Sequence, residues 1–138
     1  MRMRKPTYWY QQSAVLPFRR TAAGLEILLI TSRRRKRWIL PKGIIEPGMS
    51  PQDSAVKEAF EEAGIGGRVG TQALGSYSRE KWDSVCHIEV FPFEVTDIFD
   101  DWPEKMVRQR RWVTPEDACK LLKFKEVAAM VRDVQRLF

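Results

Sequence analysis

Glu58, Glu61 and Glu62 stand at i, i+3 and i+4 within the stretch Ser50-Pro51-Gln52-Asp53 to Glu62-Ala63-Gly64. On a helix these spacings turn all three carboxylates toward one solvent sector. Each like-charge pair then costs roughly 0.2–0.5 kcal/mol. A divalent cation reverses that sign, because Mg²⁺ and Mn²⁺ prefer hard oxygen ligands. The pattern points to a metal platform for phosphate chemistry. A solvated acidic face of an ordinary amphipathic helix is the competing reading. The Leu40-Pro41-Lys42-Gly43 turn before the helix and the glycine stop after it favour the first.

A second cluster could meet phosphate. Ser32-Arg33-Arg34-Arg35-Lys36-Arg37 lies a few residues before Lys42 and Gly43. Guanidinium forks match phosphate oxygens two at a time, and a lysine adds a point charge. Ser32, Arg33, Arg37 and Lys42 are therefore candidate phosphate ligands, with Arg33 and Lys42 foremost, although such runs are often solvated turns. Arg108, Arg110 and Arg111 form a third set, in which alternation along a strand puts Arg108 and Arg110 on one face. Arg110 is a candidate ligand there, against the alternative of an exposed edge-strand side. The tryptophans at 9, 38, 82, 102 and 112 could stack on a base, but Trp38 and Trp112 lie in apolar strands and read as core. His87, the sole histidine, reads as structural.

These residues need elements to hold them. Ser50 is an N-cap, Pro51 fits the first helical position, Asp53 takes the capping-box position and Gly64 is a C′ stop, which predicts a helix over 51–63. Ala55, Val56, Ala59, Phe60 and Ala63 form its core-facing stripe. Residues 11–19, 25–31 and 38–40 read as strands, the last leading into a glycine loop. Residues 68–79, 85–96 and 107–113 read as further strands. Thr114-Pro115-Glu116-Asp117 repeats the cap pattern, and residues 127–137 form a closing helix with Val127, Met130, Val131, Val134 and Leu137 on one face. Strands and helices in this order predict one α/β domain over 1–138, a mixed sheet with helices on both faces.

Composition narrows the partners. The chain has 138 residues and a formal net charge of +6 despite its acidic cluster, so positive charge gathers elsewhere and a polyanionic ligand is the simplest reason. A small phosphorylated ligand is favoured over nucleic acid, since no nucleic-acid motif is present. Cys86 and Cys119 have no metal or disulfide spacing, which fits a reducing, cytoplasmic setting. No run reaches membrane-spanning length, and the basic N-terminus lacks the apolar run of a signal peptide.

Residues 43–65 resemble the signature of Nudix hydrolases, G-x5-E-x7-R-E-U-x-E-E-x-G-U, where U is a bulky apolar residue. Gly43, Glu58, Glu61, Glu62, Gly64 and Ile65 match it. The resemblance implies a Nudix-like α/β/α sandwich and hydrolysis of a phosphoanhydride bond with Mg²⁺ or Mn²⁺. It implies Glu58, Glu61, Glu62 and the Gly43 carbonyl as metal ligands, with Glu58 as base and Lys57 as the residue that orients it. A further acid from a later loop would be Glu80 or Asp83. Met49 departs from the pattern's glutamate, Lys57 from its arginine and Ala59 from its bulky residue. In the family that glutamate and arginine pair to brace the catalytic helix. Here the Lys57 stem is expected to lie on Met49 with its ammonium in water, and Glu46 to replace some of the lost charge.

Outside the signature the chain is similar to the diphosphoinositol polyphosphate phosphohydrolases, which also act on diadenosine polyphosphates. Arg37-Trp38-Ile39-Leu40-Pro41, Glu58 to Gly64, Val95 to Trp102 and Arg108 to Trp112 carry the likeness. Lys42-Gly43-Ile44 replaces that subgroup's triple glycine. The implied substrate is a dinucleoside polyphosphate or a diphosphoinositol polyphosphate. Met49 and Lys57 support the alternative of a non-catalytic module that binds a phosphorylated ligand; the basic surface alone supports RNA end-processing.

Overall fold

The computed structural model describes residues 5–34 and 36–138; residues 1–4 of the basic N-terminus and Arg35 of the basic run lie outside the described residues. After a short turn at Thr7–Tyr10 the order is β1 Gln11–Thr21, β2 Gly24–Thr31, β3 Trp38–Ile39, β4 Lys42–Ile44, α1 Pro51–Ala63, β5 Ile65–Val69, β6 Gly75–Lys81, β7 Ser84–Ile98, β8 Arg110–Val113, α2 Pro115–Leu121 and α3 Lys125–Leu137. All the strands join one mixed sheet. β1 runs antiparallel to β2 and β4 along one edge and parallel to β7 along the other. β2 also carries β3 and β8. Among the described residues no helix is long and apolar enough to cross a membrane.

Strand alternation sorts the core onto two faces. Ala14, Leu16 and Phe18 of β1 join Val127, Met130, Val131 and Val134 of α3 and Ala118 of α2. Val15 joins Leu28, Ile30 and Phe93 with Ala55, Ala59 and Ala63 of α1 on the opposite face. The expected α/β/α layering follows. Leu137, placed by periodicity on the buried face of α3, is 62% exposed in its last turn.

The expected single strand over 68–79 is two strands, β5 and β6, laid end to end along β7. Pro92 sits at the break: its carbonyl accepts from Gly70 N at 2.8 Å, and Val90 O accepts from Leu74 N at 2.7 Å. Proline has no N–H to continue the ladder on that edge, so the facing chain leaves the sheet between these bonds. The expected strand over 107–113 shortens to β8, with turns through residues 103–107 before it. The expected glycine loop at 42–44 is instead β4, paired with Gln12, Ser13 and Ala14 of β1. With glycine at only one of its three positions, this segment can hold a ladder that a triple glycine would weaken.

Candidate active site

The caps of α1 form as the sequence requires. Ser50 Oγ accepts from Asp53 N at 3.0 Å, and Gly64 closes the helix in the left-handed region at φ 66°. The three alanines are fully buried, and their small side chains let α1 lie close on the sheet. This close approach rotates the buried arc. Glu62, expected in solvent, is 6% exposed, whereas Phe60, expected in the core, is 42% exposed and meets Phe99 edge-on at 5.5 Å. Trp102 Nε1 donates to Glu62 O at 3.1 Å and holds the last turn in place.

Glu62 is enclosed by polar partners. Its Oε1 accepts from Lys42 N at 3.2 Å, and its Oε2 lies 3.6 Å from the Arg108 guanidinium. Arg108 also reaches Glu104 at 3.0 Å and Thr31 O at 3.0 Å. Glu58, half-buried, packs against Gly43, where any Cβ would overlap its carboxyl group. The Glu58 and Glu62 carboxyl groups adjoin one another, so the protonation of each bears on the other. Burial pushes Glu62 up to about 8 against the pull of Arg108, and the Glu58 charge adds to the rise. Burial likewise raises Glu58.

Glu61 points along the helix flank. Lys57 bridges it at 3.2 Å and Glu46 at 3.1 Å. The Lys57 ammonium is therefore paired rather than free in water, and Glu46 supplies the charge that Met49 lacks. The two hydrogen bonds raise the Lys57 pKa. Glu46 N donates to Ser54 Oγ at 3.2 Å and Glu46 O accepts from Met49 N at 3.0 Å, so the loop is tied to α1 at several points.

Beside the carboxylates opens a cleft of about 1280 Å³. Ser32, Arg33, Arg37, Lys42, Gly43, Glu58 and Glu62, all expected site residues, line it. Ser32 also closes its turn, its Oγ accepting from Arg37 N at 3.0 Å. Burial, followed by Arg79 and Lys81, lowers Lys42 to about 8. Glu80 lines the cleft, while Asp83 lies at the tip of the β6–β7 hairpin. Trp38 packs on the α3-side core and faces the cleft; Trp112 packs on the α1-side core with the Arg19 guanidinium 4.0 Å above its ring. His87 is exposed and hydrogen-bonds Ser78 Oγ at 3.0 Å.

Arg110, expected to bind substrate, lies outside the cleft lining. Its guanidinium donates to Ala63 O at 2.9 Å, Gly64 O at 3.2 Å and Phe99 O at 2.8 Å, and it stacks 4.0 Å over the Trp102 ring. The carbonyl end of a helix attracts a cation, and this one closes α1 outside the cleft lining. Arg108, expected to share a strand face with Arg110, lies before β8 and turns to Glu62. Sequence reasoning missed that role, although the Glu104–Arg108 spacing of four hinted at a local pair. It also missed Arg79 and Lys81, which reach the cleft from β6.

The donor chemistry suits a hard divalent cation. Glu58 and Glu62 offer adjacent carboxylates whose mutual repulsion such an ion would relieve, and Gly43 stands against Glu58 with no side chain between them. Among the described residues no three acids converge on one point, because Glu61 is engaged by Lys57.

Known proteins bear on this arrangement. Residues 10–133 match the NUDIX domain model. The chain is 36% identical over 119 residues to diphosphoinositol polyphosphate phosphohydrolase 3-beta of Bos taurus, covering 85% of this chain and 71% of that one. It is 36% identical over 114 residues to diphosphoinositol polyphosphate phosphohydrolase 2 of Mus musculus, covering 81% and 62%. An Ap4A hydrolase from C. elegans has the same fold, with a TM-score of 0.76 at 21% identity over 92% of this chain and 96% of that one. The signature residues, the sheet with α1 on one face and α2 and α3 on the other, and the family match agree: the chain belongs to the NUDIX family.

Proposed function

We propose that this NUDIX hydrolase cleaves a phosphoanhydride bond in a polyphosphorylated small molecule, either a dinucleoside polyphosphate or a diphosphoinositol polyphosphate. The observation that carries this reading is the pairing of buried Glu62 with half-buried Glu58 against Gly43, opening onto a cleft rich in arginine and lysine. The relatives named diphosphoinositol polyphosphate phosphohydrolases support the second of these two substrates.

Mg²⁺ or Mn²⁺, held by Glu58, Glu62 and the Gly43 carbonyl with Glu61 in support, would supply charge neutralisation at the phosphate oxygens and acidify a water. The chain's own residues do the rest. Arg33, Arg37 and Lys42 bind phosphate oxygens and orient the anhydride for attack by water. A Glu58 carboxylate oxygen takes the water proton as the new P–O bond forms and the bridging P–O bond breaks. Lys57 positions α1 through Glu46 and Glu61 and makes no substrate contact. Arg108 holds Glu62 in place. The free thiols Cys86 and Cys119 fit a reducing, cytoplasmic setting.

The test is product release from diadenosine polyphosphates, an inositol pyrophosphate, nucleoside triphosphates and ADP-ribose with Mg²⁺ or Mn²⁺. Turnover of a diadenosine or inositol substrate that disappears in Glu62→Gln is the expected result. No turnover of any member, or turnover that survives Glu62→Gln, would refute the proposal.

A further inference from the structure

We propose that Arg79 and Lys81 of β6, continuing the basic wall from Lys42 of β4, form an anion subsite for the substrate phosphates that are not hydrolysed. This rests on the polyphosphate reading above and assigns a role to a wall of the cleft that the signature residues do not touch.

Strand geometry places the three cations on one side of the sheet. Tyr77, Arg79 and Lys81 alternate along β6 and share a face. Tyr77 is opposite Ile88 and Arg79 opposite Cys86, both fully buried in the α3-side core. Lys42 is opposite Ala14, which belongs to the same core. All three side chains line the cleft.

No carboxylate pairs with them directly, although Lys81 lies 4.5 Å over the Trp82 ring and the Glu62 charge acts on Lys42 and Lys81 from a distance. Other basic groups near α1 have partners: Arg108 takes Glu62 and Glu104, Lys57 takes Glu46 and Glu61, and Arg110 takes helix carbonyls. Among the described residues, Lys42, Arg79 and Lys81 form no ion pair. Partial burial, with Arg79 beside it, holds the Lys81 ammonium below its usual pKa. Three cations facing one cleft without an ion-pair partner repel each other until an anion enters.

The wall is also held rigidly. Trp82 and Asp83, the two residues of the β6–β7 turn, have φ of 53° and 60°. Such a turn suits a hairpin, but a tryptophan there costs on the order of 1 kcal/mol. Tyr10 Oη donates to Trp82 O at 3.1 Å, and the rings of Trp9 and Tyr10 pack edge-on against Trp82 at 5.2 and 5.9 Å. The anchored turn fixes the end of the strand that carries Lys81.

The arginine turn enters the cleft from the β2–β3 side of the sheet, and β6 enters from the β7 side. A ligand that satisfies both needs phosphates beyond the one being cleaved. A phosphate chain and a phosphorylated ring share this chemistry, and Gln12, 3% exposed with Oε1 unpartnered among the described residues, offers either one an acceptor for a hydroxyl.

Calorimetric titration with inorganic tripolyphosphate and with inositol hexakisphosphate, in chelator and at low salt, tests this directly. Wild type is expected to bind at least one, and the tighter probe tells chain from ring. Arg79→Gln and Lys81→Gln should each weaken binding about tenfold, the worth of one charged hydrogen bond. Arg79→Lys and Lys81→Arg should restore much of the loss, which separates a charge contact from misfolding. Lys120→Gln, an equal charge change on exposed α2, should stay within about twofold of wild type. Equal weakening by Lys120→Gln, or undiminished binding by the β6 variants, would overturn the subsite and leave the hydrolase reading intact. If wild type bound neither polyanion, the polyphosphate reading and the subsite would fall together.

Discussion

The C-terminal half of α1 and the facing strand β6 treat charge in opposite ways. Around α1, carboxylates and cations are paired within the chain: Glu62 with Arg108, and Glu46 and Glu61 with Lys57. Along β6, Arg79 and Lys81 face the cleft without a carboxylate partner among the described residues. The first arrangement fixes geometry, because a guanidinium enclosed with two acids and a carbonyl sets where Glu62 stands. The second leaves charge available. Pairing marks the residues that must stay still, and its absence marks the surface where ligand charge is to arrive.

The largest effect is expected at Arg108. Removing one partner of a buried pair typically costs about 3–5 kcal/mol, so Arg108→Leu should lower unfolding stability by that order in a urea titration. The loss should be smaller below about pH 8, where Glu62 holds a proton, than above it. A change below about 1 kcal/mol would show that Arg108 is not an internal brace.

Gly43→Ala comes next. Its methyl would overlap the Glu58 carboxyl group, so either the strand or the carboxylate must move. Turnover should fall by about 10²-fold, since small misplacement of reacting groups costs that much. Far-UV circular dichroism should stay close to wild type, and unchanged turnover would argue that Glu58 is not held against Gly43.

The pH dependence sharpens the contrast. Glu62 is raised to about 8 in the fold but titrates in the ordinary carboxylate range when unfolded. Between those values the folded chain holds a proton that the unfolded chain has lost. The stability from this group is therefore full below the ordinary carboxylate range and is lost as pH rises through about 8. Thermal unfolding without metal should show this decline, and Mg²⁺ should raise Tm more at about pH 9 than at about pH 6. A Mg²⁺ effect independent of pH would disconnect Glu62 from the metal.

The smallest effect belongs to the exposed brace. Glu46→Gln should change stability by less than about 1 kcal/mol, as exposed pairs do, and weaken Mn²⁺ binding a few-fold by loosening the loop. Met49→Glu should act the other way by giving Lys57 a further acid. Identical Mn²⁺ affinity in wild type and both variants, by calorimetry, would mean that the brace does not position the metal ligands.

Local chemistry was legible wherever a residue acts within its own segment. The Ser50 and Thr114 caps, the Gly64 stop and the alternation that splits β1 between two cores each depend on neighbours a few residues away. Across the chain, register and packing decided. Pro92 broke the expected strand over 68–79 because it lies opposite that strand on β7, about twenty residues further along the chain. The three alanines of α1 set how closely the helix lies on the sheet, and so which way Glu62 and Phe60 turn.

The sequence by itself determined the family, the acidic helix and its boundaries, and the presence of surplus positive charge. These follow from residue types at fixed spacing. Only the tertiary structure decided which cations serve the protein and which face the cleft. Arg108 and Arg110 look alike in sequence, yet one closes on a carboxylate and the other on helix carbonyls, while Arg79 and Lys81 meet neither. A charge's role depends on what the fold brings within a few ångströms of it, and those partners come from distant parts of the chain.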